Sequence, residues 1–167
     1  MAKCYYLWVI RAQDFIALVI CIAIPLMVGG LSGYLTAGGT STWYQELDRP
    51  SFTPPGFLFG IVWPILYALM GISLYLVWSS EASPLKGMAY TAFFIQLGLN
   101  FLWSFLFFNF KELGWALAEI GVLWVCILWM ILSFYKVSPW AAYLQVPYLM
   151  WVSFATVLNA AFYWLNR

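Results

Sequence analysis

Gln96, Asn100 and Ser104 recur every four positions in an otherwise apolar run, so on a helix they form one stripe, with Trp103 and Phe107 beside it. At membrane depth each polar side chain must find a partner or line a cavity. The stripe therefore faces protein or a pocket, and spacing alone leaves helix-to-helix hydrogen bonding and ligand contact equally open. A second stripe, Trp151, Ala155 and Leu158, sets a small residue beside a large ring, leaving room for a close neighbouring helix or for a flat ligand. Glu119 is the only acid at depth. Its place near a span end predicts interfacial solvation, with a functional role as the alternative.

Conventional catalysis finds little support in these residue types. No nucleophile–base pair, carboxylate pair or glycine-rich phosphate loop is present. The sequence contains no histidine, which excludes a histidine-ligated haem or zinc. Cys4, Cys21 and Cys126 have no paired spacing and read as small buried hydrophobes, so neither a metal site nor a cofactor is predicted. Aromatic surface is what the chain has in excess: 11 Trp, 11 Tyr and 14 Phe among 167 residues. A greasy, planar molecule is the natural ligand for such a wall.

The elements that must position these residues follow from composition. The chain is 65% hydrophobic and 8% charged, against about 45–50% apolar and about 25% charged in soluble domains. The expected fold is an all-α membrane protein, a five-transmembrane-helix bundle forming one domain over 1–167. Apolar runs at 15–35, 56–78, 88–110, 113–135 and 140–165 are each long enough to cross a core of about 30 Å. The first, behind Lys3, Arg11 and Asp14, could be read as a signal peptide. It is expected to be retained, because Leu18-Val19-Ile20-Cys21 lacks the small residue that lipoprotein processing needs before the cysteine. Ser83-Pro84-Leu85-Lys86-Gly87 and Val137-Ser138-Pro139 are short turns that make neighbouring spans antiparallel. Only 36–55 is a long connector, the kind that forms a lid. Pro25, Pro64 and Pro147, inside spans one, two and five, can each bend a helix. Trp8 and Trp140 read as interfacial anchors. Lys3, Arg11, Lys86 and Lys136 fall on one membrane face and Arg49, Lys111 and Arg167 on the other, a bias too small to fix orientation. A net charge of +1 without a basic run predicts no nucleic-acid partner.

The connector and second span read Trp43-Tyr44-x-x-Leu47-x-Arg49-Pro50-Ser51-Phe52-Thr53-Pro54-Pro55-Gly56, then Trp63. Further on come Leu99-Asn100-Phe101-x-Trp103, Phe107-Phe108, Gly114-Trp115-Ala116-Leu117-x-Glu119, Val137-Ser138-Pro139, Pro147-Tyr148-Leu149-x-Trp151 and Phe154-Ala155-Thr156-x-Leu158-Asn159. This ordered series resembles the translocator protein family, whose members are also called tryptophan-rich sensory proteins or peripheral benzodiazepine receptors.

The resemblance implies a five-helix bundle, usually a homodimer, with a pocket in each protomer closed by the connector between the first two helices. It implies ligands such as porphyrins, among them protoporphyrin IX, sterols in eukaryotic members, and synthetic isoquinoline carboxamides and benzodiazepines. Carried over by motif, the pocket residues are Tyr44, Pro54, Trp63, Asn100, Trp103, Trp151 and Ala155. The expected activity is that of a membrane receptor or sensor. Light-dependent porphyrin degradation using Trp63 and Trp151 is the alternative from another class, and transport of a tetrapyrrole or sterol a third. The chain departs from the family pattern in three places. Phe52 stands where many relatives have tryptophan. Ala160 replaces the sterol-recognition tyrosine, which counts against sterol, and Ile95 breaks the small-residue dimer seam that would run through Thr91. Nothing resembles a mitochondrial presequence, so a bacterial cell membrane is favoured, with an outer membrane as the alternative.

Overall fold

Inside a bilayer a backbone N–H has no water to bond, so apolar runs of this length close their hydrogen bonds internally as helices. A computed structural model describes residues 12–167. Its elements are α1 (Ala12–Ser41), α2 (Trp43–Glu46), α3 (Gly56–Ser79), α4 (Lys86–Ser104), a π-helical turn (Phe105–Asn109), α5 (Leu113–Tyr135), α6 (Pro139–Tyr143) and α7 (Val146–Leu165). Five stretches are long and apolar enough to span a membrane: Gln13–Ser41, Gly56–Ser79, Lys86–Asn109, Leu113–Tyr135 and Pro139–Leu165. The protein is thus a multi-pass integral membrane protein, and no strand occurs among the described residues. Lys3, Cys4, Trp8 and Arg11 lie outside them.

Two boundaries differ from the sequence expectation. The connector was expected from residue 36, yet α1 continues to Ser41. The Gly-Gly-Thr-Ser-Thr stretch reads as loop because its hydroxyls compete for backbone groups. Here they bond backwards within the helix: Thr36 Oγ1 donates to the Ser32 carbonyl at 2.8 Å, Thr40 to that of Thr36 at 3.1 Å and Thr42 to that of Gly38 at 2.7 Å. The fifth span is also not one helix, since α6 stops at Tyr143 and α7 starts at Val146. Pro147 has no N–H for the Tyr143 carbonyl. The interruption turns Gln145 inward, where its Nε2 donates to Ser73 Oγ at 2.6 Å and to the Leu69 carbonyl at 3.2 Å. Pro25 and Pro64 remain inside continuous helices.

α1 packs along α3, α4 along α5, and α5 along α7. At the end nearer the Ser80–Lys86 turn the core is filled by Met70, Val77, Ala89, Phe93, Met130, Phe134 and Ala141, all fully buried. The Phe93 and Phe134 rings stack there with centroids 6.2 Å apart. Trp140 is exposed on the rim, as an interfacial anchor would be. Thr91 and Ile95 both face outward from α4.

Candidate functional site

The opposite half of the bundle is not filled. Between α1, α2, the first half of α3, the end of α4 and α7 lies a cavity of about 730 Å³, within the about 300–1,000 Å³ typical of small-molecule sites. Its large rings are Tyr44, Phe59, Trp63, Tyr67, Trp103, Phe107, Phe108, Trp151 and Phe162, with Ala155 and Leu158 between them. Across from these runs a face of α1 made of small residues: Gly29, Gly30, Ser32, Gly33, Thr36, Ala37 and Thr40. The wall is therefore aromatic on three sides and lightly polar on the fourth, with no charged side chain among the lining residues.

Of the residues expected in a pocket, Tyr44, Trp63, Asn100, Trp103, Trp151 and Ala155 come together around this one cavity. Pro54 does not line it. Pro54 sits in the extended stretch ahead of α3, where the chain runs past the cavity rim before Gly56 reaches it.

The polar stripe divides, residue by residue, between helix-to-helix bonding and the cavity wall. Asn100 is buried and acts as a joint: its Oδ1 accepts from the Tyr67 hydroxyl at 2.6 Å, and its Nδ2 donates to Tyr148 Oη at 3.2 Å. Tyr148 in turn donates to Gln96 Oε1 at 3.0 Å, so three helices share one polar chain. Trp63 lies over this joint, stacked on Tyr67 with centroids 5.5 Å apart and edge-on to Tyr148 at 6.3 Å. Asn100 thus touches the cavity floor while spending its amide on packing, and Ser104 lines the cavity directly. Trp103 is fixed by a 3.1 Å bond from its Nε1 to Asn159 Oδ1, and Asn159 Nδ2 donates to the Leu113 carbonyl at 3.3 Å.

The connector adds Tyr44 and Gln45 to the cavity wall. Tyr44 packs on Phe107, Phe108 and Phe162 at centroid distances of 6.1, 5.6 and 5.4 Å. Burial raises the Tyr44 phenol above its usual pKa, and the Arg49 guanidinium, 5.2 Å from the ring centre, partly offsets this. The connector is latched to the end of α7 by a reciprocal pair, Asp48 N–H to Asn166 Oδ1 at 2.9 Å and Asn166 Nδ2 to the Asp48 carbonyl at 3.0 Å. Asn109 Nδ2 bonds the Leu35 carbonyl at 3.3 Å, tying the π-helical turn to the extended part of α1.

Glu119 corrects the sequence expectation. Both of its carboxyl oxygens are covered by protein and have no hydrogen-bond partner among the described residues, so it is not a solvated interfacial group. It does not line the cavity. Cys21 is buried, as expected of a small hydrophobe, and Cys126 half-buried. No cluster of potential metal ligands occurs among the described residues.

Sequence reasoning missed the contribution of α1, and with it Tyr67 and Tyr148. A signal existed in the Gly29, Ser32, Thr36 and Thr40 spacing, which places small residues on one helical face. At Gly29 the reason is contact, since a Cβ there would lie 2.0 Å from the Tyr67 ring.

The TspO/MBR family model matches residues 21–165. The chain is 40% identical over 157 residues to the tryptophan-rich protein TspO of Archaeoglobus fulgidus, covering 92% of this chain and 99% of the relative. It is 38% identical to the human translocator protein over 70% of each chain. With the tryptophan-rich sensory protein of Cereibacter sphaeroides it shares 37% identity, over 70% of this chain and 72% of the relative. The match takes in α3 to α7 and most of α1, the elements that wall the cavity, and on this evidence the chain belongs to the TspO/MBR family.

Proposed function

We propose that the protein is a membrane receptor or sensor that takes a planar, apolar ligand of the porphyrin class into the aromatic cavity. The observation that carries this reading is the cavity's form: Trp63, Trp103 and Trp151 face one space of about 730 Å³, opposite small residues of α1. Flat rings offer dispersion contact and edge-to-face geometry to a flat ligand at little conformational cost. The Ser32 hydroxyl and the Trp151 N–H, both on lining residues, have no partner among the described residues. Both atoms are covered by protein, so an acceptor on the ligand would reach either donor only after a local side-chain shift. Saturable quenching of tryptophan fluorescence is expected when purified protein is titrated with protoporphyrin IX. Quenching that is absent, or unchanged in a Trp63→Phe, Trp151→Phe double variant, would sink the proposal.

Because Trp63 and Trp151 both line the cavity, a second reading has support: light-dependent degradation of a bound porphyrin, with dissolved dioxygen as the oxidant and the two indoles relaying electrons to or from the excited ring. It predicts loss of the porphyrin absorption band under illumination, abolished by either substitution. Bleaching at the rate of free porphyrin would refute it.

A further inference from the structure

A second hollow lies behind the cavity wall. It is a groove of about 420 Å³ on the outer side of the bundle, between Val62, Ile65 and Leu69 of α3 and Pro147, Met150 and Phe154 of α7. It exists because α3 packs on α1 and α6 while α7 packs on α5, and the backbones of the two helices flanking the groove stay apart, joined by ring contacts such as Phe59 with Trp151. Its lining is hydrocarbon throughout, with the indole of Trp151 at its back. Along α3 the groove runs for about 10 Å at 1.5 Å per residue, in the middle of the span. That depth is reached by acyl chains and not by headgroups. Ile65 and Met150 are 54% and 68% exposed, so they open the groove outward to lipid.

Trp151 lines the groove and the internal cavity alike. Its neighbours divide the same way, with Phe59 on the cavity side at 5.6 Å and Phe154 on the groove side at 5.7 Å, between ring centres. Two other indoles in the bundle are tied in place: Trp103 to Asn159, and Trp124 to Ser153 Oγ at 2.8 Å. The Trp151 N–H is buried and bonds to nothing among the described residues, so only ring contacts hold the indole. On the α3 side Pro64 leaves the Gly60 carbonyl without its helical donor.

We propose that the groove between α3 and α7 is a site for a lipid acyl chain, and that Trp151 is the movable partition separating this site from the internal cavity. A chain in the groove supplies the contacts that the gap between the helices leaves unmade. Rotation of the Trp151 indole joins the two spaces, giving apolar molecules dissolved in the bilayer a lateral way in. The site does not depend on which ligand the cavity holds.

The test uses full-length protein in phosphatidylcholine bilayers in which part of the lipid carries bromine at mid-chain, a short-range quencher of indole emission. Emission of Trp151, taken as wild type minus Trp151→Phe, should be quenched at least threefold. Filling the groove from its lipid side with Ile65→Phe and Met150→Phe should restore it. Emission of Trp63, obtained likewise with Trp63→Phe, should be spared in wild type and become quenched in Trp151→Ala. Adding the two groove-filling substitutions to Trp151→Ala should protect Trp63 again. A Trp151 signal untouched by brominated lipid, as when a second copy of the chain covers the groove, would overturn the acyl-chain site. If Trp63 stays unquenched in a Trp151→Ala protein whose helical circular dichroism is intact, the partition is overturned. Should Trp151→Ala not fold, Trp151→Val is read in the same way.

Discussion

The two halves of this bundle use small residues differently: in the cavity half close contacts, at Gly29 and Gly39, stand beside glycines that leave open space. In the half toward the Ser80–Lys86 turn, Gly71 brings α3 against α1 so closely that a Cβ would lie 2.3 Å from the Ile22 Cα. In the half toward the connector, Gly30, Gly33 and Gly60 also sit on α1 and α3, yet a Cβ on any of them would meet nothing within 4 Å. One set makes helices touch; the other leaves space that the surrounding aromatic rings do not fill. The same residue type therefore marks a dry, packed seam in one place and a cavity wall in the other.

Substitutions should separate the halves in order of cost. Gly71→Ala must push two backbones apart and is expected to lose about 3 kcal/mol, the upper end for overpacking. A fall in the thermal unfolding midpoint in detergent micelles would register it, and an unchanged midpoint would count against the close seam. Asn100→Leu removes the joint of the Tyr67–Asn100–Tyr148 chain. Leaving two buried hydroxyls short of a partner should cost about 2 kcal/mol by the same measurement. Next come the two indoles on either side of the cavity. Trp103→Phe orphans Asn159 Oδ1 and is expected to lose about 1 kcal/mol. Trp151→Phe breaks no hydrogen bond and should leave the midpoint within about 0.5 kcal/mol of wild type. Equal losses at the two positions would show that Trp151 is tied after all. The lowest cost, a net gain, is expected at Gly60→Ala, where the cavity accepts a methyl group and the helix gains about 0.5–1 kcal/mol in propensity. A drop in its midpoint would mean that the open half is closed in the membrane.

How much was legible beforehand depended on whether a residue's role was local. The apolar runs announced the spans, and the Gln96, Asn100, Ser104 repeat announced an inward face, because both follow from helical period and the absence of water at depth. The Asn100 amide could not be apportioned between packing and ligand, since its partners Tyr67 and Tyr148 come from 33 and 48 residues away. The end of α1 was misjudged because glycine, serine and threonine favour loops unless their hydroxyls are bonded back to the helix, which local composition does not reveal. Glu119 was misjudged for a related reason, its distance from the span end being readable and its covering by neighbouring helices not.

By itself the sequence determined that this chain spans a membrane as five helices, that it lacks the residues for histidine-bound metals, and that its ordered motifs resemble one family. Those properties rest on composition, period and residue type, each carried by the chain without reference to distant contacts. Tertiary structure alone decided which half of the bundle is hollow, that α1 supplies its small-residue wall, and that Trp151 stands between an inner cavity and an outer groove. Those depend on where helices diverge, and divergence is set by side chains from separate spans meeting or failing to meet.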